Sequence, residues 1–233
     1  MSFEIGHATH TGIKRDHNED TYGVGENIWM VADGMGGHDH GELASAMARD
    51  SILHHYQSGE SLKDCIIHSN QTIIDSSYER GGDLPMGTTV VILTVRGHKF
   101  YAAWVGDSRI YKLRNGKLSP VSTDHSYVQE LVDQKLITEQ QARTHPHRNV
   151  VTQALGVTDN SEIHISLAEG DLLSGDKFLL CSDGLTEEVE DSIIEEIMSK
   201  PIHPQEITDH LMVAALKGGG SDNITVLVIE NKD

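Results

Sequence analysis

Apolar residues recur along this chain in two rhythms: short continuous or alternating runs, and longer stretches with a repeat of three to four. The short runs predict strands over residues 3–10, 21–32, 90–95, 99–105 and 110–113, again between 150 and 181, and once more after Asp222. Val90 to Val95 is a continuous apolar run but for Thr94, as suits a strand buried on both faces. Asn115-Gly116 marks a hairpin, because both residues tolerate positive φ, and strands joined by hairpins build an antiparallel sheet. The longer repeat predicts a helix over 42–57, with Ala44, Met47, Ala48, Ile52 and Tyr56 at helical spacing, and another over about 61–79. Two more follow, over about 187–199 (Val189, Ile193, Ile194, Ile197) and 204–217 (Ile207, Leu211, Ala214, Ala215). Gly81-Gly82-Asp83-Leu84-Pro85 ends the second helix, and Gly218-Gly219-Gly220 ends the last. Residues 126–148 interrupt the strands with two short helices, since Ser126…Gln129 and Thr138…Gln141 both fit the capping box. The whole pattern predicts an α+β fold: two packed antiparallel β-sheets flanked by pairs of α-helices, with a small helical flap.

Size and charge narrow the function. A chain of 233 residues can bury one sizeable core, so a single domain over 1–233 is expected. With 36 acidic against 18 basic residues the formal charge is −18. That field repels nucleic acid and gives no grip on anionic lipid, whereas it attracts divalent cations and basic peptide segments. Cys65 and Cys181 sit in apolar periodic stretches and read as buried small hydrophobes. No secretory signal pattern and no apolar run of 18 residues is present, so the expected state is a cytoplasmic monomer.

The candidate chemistry lies in three acidic corners far apart in sequence: Asp33-Gly34, Asp183-Gly184 and Asp222-Asn223. Each adjoins a run of strand length, Ile28 to Ala32, Phe178 to Cys181 and Ile224 to Ile229. Carboxylates held at strand ends and converging on one point repel one another unless a cation sits between them. Oxygen donors of this kind suit Mg²⁺ or Mn²⁺ rather than zinc. The loop from Gly12 to Asp20 adds Arg15, Glu19 and Asp20, which on local grounds alone read as a solvated polar turn.

Taken in order, Arg15-x-x-Asn18-Glu19-Asp20, Val31 to His38, Gly87-Thr88-Thr89, Gly106-Asp107-Ser108-Arg109, Ala154-Leu155-Gly156, Ser182-Asp183-Gly184 and Ser221-Asp222-Asn223 make a specific set. The sequence resembles the metal-dependent protein phosphatases, the type-2C or PPM group, in its compact bacterial form. The resemblance covers essentially the whole chain. It implies hydrolysis of phosphoserine and phosphothreonine in proteins by a hydroxide bridging two Mg²⁺ or Mn²⁺ ions, reversing the action of a Ser/Thr kinase. Asp33 matches the aspartate that bridges both ions, and Asp183 and Asp222 complete the first. The Gly34 carbonyl and Glu19 serve the second, with Asp20 in support. Asp107 matches a ligand of a third ion that shares Asp183, although locally it could equally orient Arg109 or cap a hairpin. Arg15 matches the residue that grips the substrate phosphate.

Three departures from the family pattern stand out. Met35 occupies the position of a histidine proposed as general acid in many eukaryotic relatives, which leaves His38 as the candidate acid. Asp39-His40-Gly41 is bulkier than the family's small residues, and Gln153 replaces an arginine common in bacterial relatives. The alternative from another class is a catalytically silent phosphoprotein-binding module, which missing metal ligands would favour.

Overall fold

A computed structural model of the chain describes residues 2–36, 40–79 and 86–233. It is a four-layer sandwich, helix on sheet on sheet on helix. The first sheet contains β1 (Phe3–His10), β7 (Arg109–Arg114), β8 (Lys117–Pro120), β10 (Lys177–Cys181) and β11 (Ile224–Asn231), in the order β1-β11-β10-β7-β8. The second contains β2 (Asp20–Gly25), β3 (Ile28–Met35), β5 (Val90–Arg96), β6 (Lys99–Val105) and β9 (Ser166–Asp171), in the order β2-β3-β5-β6-β9, with β4 (Gly87–Thr88) paired to the end of β3. Every pairing is antiparallel.

Strand alternation assigns each side chain to a layer. Trp29 and Val31 of β3, Phe178 and Leu180 of β10, and Leu227 and Ile229 of β11 point into the space between the sheets. Their neighbours Met30 and Ala32 pack under α1 (His40–Gln57) and α2 (Leu62–Glu79). Leu179, Cys181, Val226 and Val228 pack under α5 (Asp183–Thr186), α6 (Asp191–Met198) and α7 (Pro204–Gly218). Three apolar layers therefore hold four layers of secondary structure.

The predicted elements recur with instructive differences. The run 21–32 is two strands, because Glu26-Asn27 turns the chain back with Asn27 at φ 58°. The Asn115-Gly116 hairpin forms with φ values of 53° and 75°. Between 150 and 181 only β9 and β10 are strands, and the preceding stretch is irregular. The helix expected over 187–199 is instead α6, preceded by the short α5, because Glu190 adopts an extended conformation at the start of α6. Among the flap helices α3 (Tyr127–Asp133) and α4 (Glu139–Arg143), only the second closes a full capping box. Ser126 caps α3, but the Gln129 amide turns away to Asp133 at 2.8 Å. The expected helix stop over 81–85 lies outside the described residues. Among the described residues no helix is long and apolar enough to cross a membrane.

The inter-sheet layer is the part on which both sheets depend. Phe178→Ala should lower the unfolding free energy by about 3–5 kcal/mol, the usual cost of emptying a large buried aromatic site. Val213→Ala, on an exposed helical position, should stay within about 0.5 kcal/mol of the parent. Urea denaturation of both variants measures the contrast.

Candidate active site

At one end of the sandwich the inter-sheet layer changes from apolar to polar. Following β3 along its inward face gives Trp29, Val31 and then Asp33. The same walk on β10 gives Phe178, Leu180 and then Ser182, and on β11 Ile229, Leu227 and then Thr225. The β2–β3 register places Asp20 directly opposite Asp33, so both carboxylates point the same way. Asp20 is 7% exposed, and its Oδ2 accepts a 2.7 Å hydrogen bond from the Ser182 hydroxyl. Its Oδ1 has no hydrogen-bond partner. The Asp33 carbonyl accepts from the Thr89 N–H (2.8 Å) and the Thr88 hydroxyl (2.9 Å), which fixes the strand end.

Asp183 opens α5 just beyond β10, and Asp222 lies in the turn before β11. The two turns touch: a Cβ on Gly184 would collide with the Asn223 carbonyl, so only glycine permits this approach. Asp222 Oδ1 accepts from the Asn223 N–H (2.8 Å), while Oδ2 pairs with Arg15 Nη2 at 2.6 Å. Arg15, expected to face a phosphate, is thus engaged with a neighbouring carboxylate. Glu19 immediately precedes β2 and accepts from the Gly41 backbone at the start of α1. A Cβ on Gly41 would lie 2.7 Å from the Glu19 carboxyl carbon, and one on Gly34 would strike the Gly41 carbonyl. Both glycines are demanded by close approach. At Gly41, the described end of the 39–41 stretch, the site therefore requires the smallest residue.

Crowding shows in the acidities. Burial, reinforced by Asp20, Asp183, Asp107 and Asp222, holds Asp33 well above the usual carboxylate range. Burial also holds Asp183 well above that range, with Asp107 the strongest neighbouring charge. Asp20 is pushed up to about 6 by burial, against the hydrogen bonds from Ser182 and Thr225. Asp107, 8% exposed, is pushed up to about 7 by burial and by Asp124. Burial also raises Glu19, against the pull of Arg15. Arg109 is oriented by Asp124 rather than by Asp107: its Nε donates to both Asp124 oxygens (2.9 and 3.1 Å) and Nη2 to Oδ2 (2.7 Å).

The sequence profile of the family described as protein phosphatase 2C matches residues 11–212. The chain belongs to the protein phosphatase 2C family. It is 36% identical over 228 residues to the serine/threonine protein phosphatase PstP of Mycobacterium tuberculosis, covering 95% of this chain and 44% of PstP, so it spans less than half that relative's length. It is 37% identical over 240 residues to the serine/threonine phosphatase stp of Listeria monocytogenes, covering 95% of this chain and 93% of stp. A crystal structure of the PstP catalytic domain in complex with two manganese ions superposes with a TM-score of 0.87 at 33% identity, over the whole of both chains.

In this member of the family, Arg15, Glu19, Asp20, Asp33, Gly34, Asp107, Asp183 and Asp222 all lie at one end of the sandwich. His38 lies outside the described residues. Met35 closes β3 opposite Gly87, and the Gln153 side chain accepts from the His164 N–H at 2.9 Å, a bond within the protein. Sequence reasoning left several contributors without a role. Asn223 binds the whole 11–19 loop: its Oδ1 accepts from Glu19 N–H (2.7 Å), and its Nδ2 donates to the carbonyls of Thr11 (2.9 Å) and His17 (2.8 Å). Its place beside Asp222 was the available signal. Ser182 adjoined Asp183 in the same way, but its partner Asp20 lies 162 residues away, and Thr225 and Asp124 carried no such signal. Glu187, half-buried one turn beyond Asp183, also has a raised pKa from burial.

The residues fit a pair of hard divalent cations. The donor set is entirely oxygen, burial and the close negative charge of their neighbours raise the pKa values of Asp20, Asp33 and Asp183, and a buried Asp20 oxygen is unpartnered. One guanidinium, Arg15, offsets only part of that charge.

A testable consequence concerns pH. A carboxyl whose pKa rises on folding favours the folded state fully below about pH 4. That contribution is lost as pH climbs through the raised values, here about 6 for Asp20 and about 7 for Asp107. Metal-free protein should therefore have a higher Tm at pH 5 than at pH 7.5. Asp33→Asn should raise the pH 7.5 value, by ~2–4 °C for each kcal/mol of repulsion relieved. Mn²⁺ should raise it in the parent and much less in the variant. Differential scanning fluorimetry in EDTA and in Mn²⁺ reads all three.

Proposed function

We propose that the chain hydrolyses phosphoserine and phosphothreonine esters of proteins, using two Mn²⁺ or Mg²⁺ ions held in the acidic cluster, and so reverses a Ser/Thr kinase. The observation that carries this reading is the convergence of Asp20, Asp33, Asp183 and Asp222 with Glu19 and Arg15 in a member of this family. In this reading Asp33 serves both ions, Asp183 and Asp222 complete one, and the Gly34 carbonyl and Glu19 complete the other, with Asp20 in support. Asp107 and Asp183 would share a third. Ions held there supply a water of lowered pKa and neutralise phosphate charge.

The protein's own residues do the positioning. Arg15 exchanges its Asp222 partner for two phosphate oxygens, a geometry its planar fork matches. Asp20 stays fixed by Ser182, and Asn223 keeps Glu19 and the Arg15 loop in register with Asp222. His38 is the candidate donor of a proton to the departing serine or threonine oxygen. Both cysteines are unpaired, which suits a reducing cytoplasmic setting. A silent binding module would be expected to lack ligands, and the full set is retained.

Arg15→Ala should lower kcat/KM toward p-nitrophenyl phosphate and a phosphothreonine peptide on the order of 10²–10³-fold, the usual cost of losing one preorganised charge stabiliser. Asp33→Asn and Asp183→Asn should abolish turnover, as should EDTA. A folded parent that turns over neither substrate with Mn²⁺ or Mg²⁺ would overturn the phosphatase reading.

The flap over 126–148 is assigned to substrate choice. It is tied to the edge of the site, with Arg143 Nη2 donating to the Thr186 carbonyl (3.3 Å) and Arg148 lying 3.8 Å from Glu187. Arg143→Ala/Arg148→Ala should raise KM for the peptide roughly threefold or more while leaving p-nitrophenyl phosphate turnover within about twofold, a loss of substrate binding rather than chemistry. Equal losses on both substrates would reject it.

A further inference from the structure

A second group of metal-ligating side chains lies away from the acidic cluster. His55 is in the last turn of α1, Glu60 is in the connection to α2, and His68 is within α2. The connection folds back on the helix end: Gly59 has φ 90° and donates to the Tyr56 carbonyl (3.0 Å), and Glu60 N–H donates to the His55 carbonyl (3.3 Å). This turn brings the Glu60 carboxylate between the two imidazoles. Its Oε1 lies 2.7 Å from His55 Nδ1 and its Oε2 lies 2.7 Å from His68 Nδ1. The rings themselves are 4.5 Å apart, tilted by 38°. One ligand atom from each residue fits within a 4.8 Å span.

We propose that His55, Glu60 and His68 form a Zn²⁺ site that clips the end of α1 to α2, separate from the Mn²⁺/Mg²⁺ centre. Two imidazole nitrogens and one carboxylate are the donors zinc prefers, whereas the all-oxygen cluster suits harder ions. Zinc places such donors about 2.0–2.2 Å from the metal. Tetrahedral donors at that distance lie roughly 3.4 Å apart, so donors up to 4.8 Å apart must close and the 2.7 Å Glu60–imidazole contacts must open, movements that His68, 51% exposed, is free to make. Three protein ligands leave a fourth position open to water, so the site can also accept an external ligand. Between Gly41, which touches Glu19, and His55 the helix rises by about 21 Å, so the two sites do not share ligands. Without metal the same three side chains form a hydrogen-bonded clip, in which the imidazoles hold Glu60 below its ordinary acidity range.

The test is calorimetric titration of Zn²⁺ into the metal-free 233-residue chain carrying Asp33→Asn and Asp183→Asn, which silence the acidic centre. One Zn²⁺ per chain should bind. His68→Ala and, separately, Glu60→Gln should each weaken binding by at least about 30-fold, as loss of one of three ligands should. Co²⁺ should give the visible absorption of a four-coordinate nitrogen–oxygen site, lost in His55→Ala. Zinc binding that is absent, or unchanged in all three variants, overturns the site. His68→Ala on the otherwise unaltered protein should keep its circular dichroism and its Mn²⁺-dependent turnover of p-nitrophenyl phosphate. Failure of that turnover in the parent as well would reject the phosphatase reading and leave the zinc site standing.

Discussion

Mutual repulsion among carboxylates in a confined space is the constraint that the rest of this molecule is built to withstand. Asp20, Asp33, Asp107 and Asp183 each raise or feel one another's pKa, and burial removes the water that would otherwise screen them. Left to relax, such side chains would turn outward. Each is carried by backbone tied into regular structure or a tight turn: the paired ends of β2 and β3, the first residue of α5, and the short connection between β6 and β7. Stability elsewhere sustains this local cost, in three apolar layers that run the length of both sheets.

Hydrogen bonds in the site are arranged so that the acids are oriented without being neutralised. Ser182 holds one oxygen of Asp20 and leaves the other free, and its hydroxyl also accepts from the Thr225 N–H at 2.9 Å. Asn223 shares its amide among three backbone groups of the 11–19 loop. Thr88 and Thr89 spend their bonds on the backbone of Asp33 and on Ser108 rather than on the Asp33 carboxylate. The result is a set of oxygen atoms fixed in place and still available, which is the condition for holding a cation tightly. Glycines at 34, 41 and 184 complete it by allowing three backbone segments to approach more closely than any side chain would allow.

The three acidic corners, the hairpin at Asn115-Gly116, the helix pairs and the sandwich architecture were legible in the sequence because each is a local signal: an alternation of period two, a repeat of 3.6, or a turn residue that tolerates positive φ. The recurrence of the acidic motifs in family order made the candidate ligands legible as a set. What local pattern misjudged were boundaries decided by competition. Glu26-Asn27 divides an apparently continuous strand, and Gln129 finds Asp133 a better partner than its own helix N-terminus.

By itself the sequence determined the main strands and helices, the apolar runs that fill the layers, and which acids adjoin those strands, since these follow from spacing and side-chain type, although Ile193, at helical spacing with Ile194 and Ile197, is exposed. Only the tertiary structure decided that Asp20 faces Asp33, that Arg15 pairs with Asp222, that Asn223 rather than a charged residue organises the loop, and that His55, Glu60 and His68 meet. The reason is distance along the chain. Arg15 and Asp222 are 207 residues apart, and Ser182 and Asp20 are 162 apart. Such contacts exist only once two sheets have packed and set the register of their strand ends, a property of the assembled layers that no stretch of sequence carries alone.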